Sequence, residues 1–156
     1  MKKWQAFLAI TALSFLPGVA GFAFANQGAG WYQSISKPAF TPPSPVFAPV
    51  WGLVYFLAGI AVFIVWKDWV DKRERRNAYI IFGVSLLLDG IWPFLFFSRH
   101  WLPASFIGGL VLWAVITAMI VLFRKVSKKT TRFLAPYWLW VCFLAVLNGF
   151  VWKLNP

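Results

Sequence analysis

Few side chains in this sequence are able to make or break bonds. Among 156 residues there are four acids, one histidine and one cysteine. With His100 and Cys142 each single, one chain cannot assemble a His/Cys metal site or an intrachain disulfide. No nucleophile stands with a base in the pattern covalent catalysis needs. No catalytic residue, metal or required cofactor is therefore expected. What remains is aromatic: 11 tryptophans, 17 phenylalanines and 4 tyrosines. At helical spacing, Trp51 and Tyr55 share one face, and Asp89, Trp92 and Phe96 share another. Tyr137, Trp140, Leu144 and Asn148 form a third stripe. Such faces offer stacking, worth about 0.5–1.5 kcal/mol per aromatic pair beyond area burial. Asp89 and Asn148 are their polar exceptions.

The elements that must position these faces are membrane helices. Hydrophobic residues make up 61% of the chain and mean hydropathy is +0.72, a composition no water-soluble surface of this size tolerates. Since about 20 apolar residues cross the hydrocarbon, the expected helices cover about 4–25, 45–66, 78–98, 102–123 and 132–153. The fold class is all-α, a five-transmembrane-helix bundle. Residues 1–156 are used up as a single domain, with no room for a separate catalytic module.

The formal charge of +11 does not indicate nucleic acid, because the bases lie in short clusters between apolar runs. Five spans place 12 basic residues on one side, at Lys2, Lys3, Lys67, Lys72, Arg73, Arg75, Arg76, Arg124, Lys125, Lys128, Lys129 and Arg132. Only Lys37, Arg99 and Lys153 fall on the other. The split puts the N-terminus in the cytoplasm and residues 26–44 on the opposite side, and the lipid bilayer is the first partner.

Residues 31–55 carry Pro38, Pro42, Pro43, Pro45 and Pro49 beside six aromatics. Each proline fixes φ and removes a donor, so no helix runs through 37–45 and a stiff aromatic loop is expected, able to cap a cavity. Helix resumes near Pro45, with Pro49 in or near its first turn. Ala23-Phe24-Ala25 satisfies a signal-peptide cleavage rule, but the apolar run before it is long and its removal would unbalance the spans. It is kept as the first helix, kinked at Pro17-Gly18. Lys67 to Arg76 reads as a solvated helical extension with i,i+3 and i,i+4 ion pairs. Ala104/Gly108 and Ser105/Gly109 form small-xxx-small rows for close packing in the fourth helix. Thr130 or Thr131 is expected to cap the fifth.

Asp89 is the residue that least fits a membrane. Pro93 cannot donate to its carbonyl four residues earlier, so backbone and side chain both need partners at one depth. A charged Asp near mid-bilayer costs about 2.5–3.5 kcal/mol. The next base, Arg99, lies roughly 15 Å along the axis. Asp89 is therefore expected neutral and inward, tied to another helix through Asn148 or meeting a ligand directly.

Three blocks carry a resemblance: KPAFTPP followed by APVWGLVY, then LLLDGIWPFLFF, then PYWLW with Leu147-Asn148 eight residues on. In this order and spacing the chain resembles the TspO family, the tryptophan-rich sensory proteins that include the mitochondrial translocator protein. The resemblance implies a five-helix bundle, often a homodimer, that binds porphyrins, sterol-like molecules or synthetic aromatic ligands in a pocket closed by the loop between helices 1 and 2. Lys37, Pro38, Pro42, Pro43, Pro49, Trp51, Tyr55, Trp92, Pro93, Phe96, Phe97, Pro136, Tyr137, Trp140 and Asn148 match its pattern. Phe40 and Pro45 stand where the family commonly has tryptophan, Asp89 where it has asparagine, and Leu144 where it usually has a small residue. Gly149 replaces the tyrosine of the animal cholesterol motif. Together these departures imply a less aromatic loop site and a smaller pocket, and Gly149 with the bulky Leu144 implies weak sterol recognition.

The functional expectation is a membrane receptor for tetrapyrroles such as porphyrin or haem, or for a related apolar ligand. A planar macrocycle would stack on Trp51, Trp92 and Trp140, with Tyr55, Asp89, Phe96, Tyr137, Leu144 and Asn148 around it. Phe40 would close the lid, and the Lys37 ammonium would reach a propionate. Two alternatives are a photo-oxidative enzyme degrading bound porphyrin, in which the substrate itself carries the chemistry, and a transporter of tetrapyrroles or lipids. Transport would call for a polar pathway or inverted repeats, and the sequence has neither.

Overall fold

The computed structural model of the chain describes residues 2–68 and 71–156. Its elements are α1 (Lys3–Ser14), α2 (Leu16–Gln27), α3 (Ala29–Ser34), α4 (Ser44–Asp68), α5 (Lys72–Pro93), a π-helical turn (Phe94–Ser98), α6 (Leu102–Arg124) and α7 (Lys129–Leu154). Five stretches are long and apolar enough to cross a membrane: Lys3–Gln27, Ser44–Asp68, Lys72–Ser98, Leu102–Arg124 and Lys129–Leu154. Large side chains such as Leu8, Val19, Phe22, Leu53, Leu87, Ile107, Val121 and Leu139 point outward and are exposed. That is the exterior of a protein solvated by lipid.

The first span breaks where its Pro-Gly pair requires. The α-helical ladder stops at Phe15, whose N–H turns to Ala12 O at 3.2 Å, and Pro17 sits in the first turn of α2. The break lets each half serve a different neighbour. α1 packs along α4, with Phe7 edge-on to Phe63 at 5.3 Å, while α2 packs along α5 and the π-helical turn after it, with Phe24 edge-on to Phe94 of that turn at 5.5 Å. The α1 contact depends on Gly59, because a Cβ there would lie 3.2 Å from Thr11 Oγ1 and Ser14 Oγ. Residues 3–27, the segment with the cleavage-like sequence, are thus part of the bundle. The remaining pairings, α4 with α7, α7 with α6 and α6 with α5, close the ring in the span order 1-2-5-4-3.

Pro93 has the consequence expected of a missing donor. Past it the helix widens: the Arg99 N–H donates to Phe94 O and the Trp101 N–H to Leu95 O, both at 3.0 Å. The turn into α6 is completed by His100 at φ 52°, in the left-handed region.

The long loop differs from the expectation in one respect. No helix runs through 37–43, as the prolines dictate, but residues before them form α3. Gly28 allows this short helix to fold back, since a Cβ there would meet Phe97 O at 2.7 Å. Two smaller expectations are corrected at the opposite end of the bundle. Neither threonine caps α7: Lys128 holds the cap position, and the buried Thr130 hydroxyl donates to Ser127 O at 2.7 Å. The Lys67–Arg76 charges do not pair in i,i+3 or i,i+4 fashion among the described residues. Asp71 instead caps α5 by accepting the Glu74 N–H, Lys67 meets Asp68, and Glu74 meets Lys125 of the other basic loop at 3.4 Å. Trp69 and Val70, inside that extension, lie outside the described residues.

Candidate functional site

Buried side chains fall into two clusters. One runs through α4, α5, α6 and α7 from Val54 and Val141 toward the basic end, and includes Phe82, Ile116, Met119, Phe123 and Tyr137. The other, built on Phe96, Leu102, Leu144, Leu147 and Val151, lies beneath the loop. Where they meet, aromatic rings from three spans converge. Trp51 and Tyr55 of α4 stack at 5.1 Å and 22°, as their four-residue spacing allows. Trp51 is edge-on to Tyr137 at 6.5 Å and to Trp140 at 6.3 Å, both on α7. Tyr55 is edge-on to Tyr137 at 6.4 Å. From α5, Trp92 stacks on Phe96 at 5.2 Å and donates its indole N–H to Ser105 O of α6 at 3.1 Å. Ser105 belongs to one of the small-residue rows. The close approach those rows permit is what brings a backbone acceptor within reach of Trp92.

These rings enclose a cavity lined by Trp51, Asp89, Trp92, Gly109, Leu112, Val141, Leu144 and Asn148. Its free volume is about 10 Å³, room for one water-sized group. A ring-sized ligand enters only when Leu144 or the flanking indoles give way. Five of the expected site residues line this space: Trp51, Asp89, Trp92, Leu144 and Asn148. Tyr55, Phe96, Tyr137 and Trp140 stand behind them as the next layer.

Lys37 and Phe40 are placed elsewhere. The Lys37 ammonium is turned into its own loop, donating to Tyr32 O at 2.6 Å and Ile35 O at 2.9 Å, and it lies 4.8 Å over the Tyr32 ring. It closes the end of α3. Phe40 is exposed and rests edge-on against Phe150 at 5.4 Å and Phe143 at 6.3 Å, on the flank of α7. The roof over the aromatic cluster is instead α3: Trp31 is edge-on to Phe96 at 5.4 Å and stacked on His100 at 4.1 Å, and Tyr32 packs on Phe97 at 5.8 Å. Burial pushes the Tyr32 phenol above its ordinary value, so it stays neutral at physiological pH.

Asp89 points inward as expected, but its partner is Tyr137 rather than Asn148. The Tyr137 hydroxyl donates to Asp89 Oδ2, while Asp89 Oδ1 is buried with no partner among the described residues. Asn155 is the residue that sequence reasoning missed. Its amide accepts the Ser36 N–H at 3.0 Å and donates to Ser36 O at 2.8 Å, clasping the loop to the end of α7. Gly109, Leu112 and Val141 were also unassigned to the site. The signal for Val141 is that it lies four residues after Tyr137 on α7, and Gly109 was visible only as a packing position.

The amino-acid sequence has counterparts among known proteins. The sequence profile of the TspO/MBR family matches residues 6–153. The chain belongs to the TspO/MBR family. A Tryptophan-rich protein TspO of Archaeoglobus fulgidus is 33% identical over 99% of this chain and 97% of its own length. One of Chlorobaculum tepidum is 32% identical over 89% of each. The human Translocator protein is 30% identical over 97% of this chain and 91% of its own. Membership in TspO/MBR and five apolar helices together make this a multi-pass integral membrane protein. On the other flank of this TspO/MBR bundle, Gly149 leaves an outward groove of about 340 Å³ with Phe106, Trp152 and Lys153.

Proposed function

We propose that this TspO/MBR protein binds porphyrins or related planar apolar ligands in the space between α4, α5, α6 and α7, beneath the loop that joins the first two spans. The observation that carries this reading is the convergence of Trp51, Trp92 and Trp140, from three separate spans, around a space with only two polar side chains in its lining. Aromatic faces without a nucleophile hold a flat molecule by stacking and burial. The closed volume implies that binding opens the site, and residues 35–43 with their prolines give the roof a frame that loses little entropy when it re-closes.

The chain is further proposed to lie with its N-terminus in the cytoplasm, which the concentration of bases at one end of the bundle supports. It is proposed to act as a homodimer through α5. Gly83 and Gly90 lie seven apart on one face of that helix, with nothing within 4 Å of either Cβ position.

The test is a ligand screen on detergent-solubilised protein by tryptophan quenching, comparing a free-base porphyrin, haem, a sterol and an unrelated apolar dye at equal concentration. Saturable quenching by tetrapyrroles and not by the dye supports the reading. Equal, non-saturating quenching by all four rejects it.

A further inference from the structure

Asp89 is the one ionisable side chain that lines the central cavity. It is only 3% exposed, and its two oxygens are treated differently. Oδ2 accepts the Tyr137 hydroxyl, while Oδ1 is buried without a partner among the described residues. Around it lie the apolar surfaces of Trp51, Trp92, Leu112 and Leu144. A carboxyl oxygen so placed faces an apolar lining without a protein partner, so a ligand atom that can share a hydrogen bond with it is favoured over one that cannot. Among the described residues no lysine, arginine or histidine lines the cavity and the Asn148 amide does not bond to Oδ1, so a ligand group is the partner to look for.

We propose that Asp89 Oδ1 recognises a basic ring nitrogen, so that the preferred ligands are planar heteroaromatics with an unsubstituted sp² nitrogen. This rests on the reading that flat ligands enter this space. Because the Tyr137 hydrogen occupies Oδ2, any proton the carboxyl holds sits on Oδ1. A neutral carboxyl donates that proton to the ring nitrogen, and an ionised one accepts it back from a protonated nitrogen. In either case one proton lies between the same two atoms and no other bond changes. A hydrocarbon of the same outline stacks equally well but leaves Oδ1 unpartnered, so the site discriminates against it.

The experiment compares acridine, anthracene and N-methylacridinium on the purified full-length chain by tryptophan quenching, with a free-base porphyrin titrated separately. All three probes have the same three-ring outline, and only acridine offers a nitrogen that can share a proton. Acridine is expected to bind at least about tenfold tighter than either of the others. Asp89→Asn keeps that preference through its amide N–H, and Asp89→Leu abolishes it. Equal affinities for acridine and anthracene, or N-methylacridinium binding as tightly as acridine, overturn the proposal, and this comparison needs no variant to fold. Retention of the preference in a folded Asp89→Leu protein overturns it too. Porphyrin binding without acridine preference removes this inference and leaves the proposed function standing, whereas acridine preference without porphyrin binding does the reverse.

Discussion

Tyr137 donates its phenolic hydrogen to Asp89 Oδ2, joining the fifth span to the third through the only buried carboxyl among the described residues. In hydrocarbon both groups need a partner, and each supplies the other's. The family pattern has asparagine at this position, and an amide oxygen accepts the same hydroxyl.

Removal of either end of this bond is expected to destabilise the bundle modestly. Tyr137→Phe and Asp89→Ala should each cost about 0.6 kcal/mol and at most roughly 1.7 kcal/mol, while Asp89→Asn should be close to neutral. Thermal unfolding in detergent measures this. The double variant Tyr137→Phe/Asp89→Ala should lose less than the sum of the single losses, because the bond can be lost only once.

The proposed orientation rests on the bases gathered at one end. Single cysteines at Gln33, exposed on α3, and at Lys129, exposed at the start of α7, should be labelled from opposite sides of sealed vesicles in a Cys142→Ser background. The Gln33 label should require access from the non-cytoplasmic face. Labelling of both from one side contradicts the five-span arrangement.

The clasp between Asn155 and Ser36 should control how firmly the roof is held. Asn155→Ala removes both bonds to Ser36 and a third, to Val151 O at 2.8 Å. Hydrogen exchange at the Ser36 amide is expected to accelerate at least about tenfold, while amides within α4 and α7 stay unchanged. Porphyrin association should quicken with it. Unchanged exchange at Ser36 would show that the prolines and Lys37 hold the loop without Asn155.

Sterol recognition of the animal type should be weak, because Gly149 stands in place of the motif tyrosine. An aromatic side chain at this position would meet Phe106, whose ring lies 3.0 Å from the glycine's Cβ position. Sterol titration should show no submicromolar binding, and Lys153→Ala should change nothing. Submicromolar binding abolished by that substitution contradicts the expectation.

Helix positions and site faces were legible because they depend on local rules. Apolar run length set the five spans, the Pro17-Gly18 pair set the break at Phe15, and the spacings of Trp51/Tyr55 and Tyr137/Trp140 set shared faces. What escaped depends on tertiary placement. Lys37 reads as a free cation until the Tyr32 and Ile35 carbonyls are seen to accept from it. Phe40 reads as a lid until Trp31 and Tyr32, carried on a helix that Gly28 permits, are found to occupy the roof. Asn155 gives no signal in sequence, since its partner is the backbone of a residue 119 positions away. The Asp89 partner was misassigned because Asn148 and Tyr137 lie on the same stripe, and only packing decides which of them comes within reach.

The most direct test of the account is porphyrin affinity across four tryptophan variants, measured by equilibrium titration on folded, solubilised protein. Trp51→Phe, Trp92→Phe and Trp140→Phe each alter a ring of the converging cluster, and each should weaken binding by roughly 2- to 10-fold, the loss of about one aromatic pair. Trp113 packs instead on Trp138 at 5.3 Å, away from the cavity lining, so Trp113→Phe should leave affinity within about twofold of the parent. Equal losses at all four positions would mean general destabilisation, and no loss at the first three would place the ligand elsewhere.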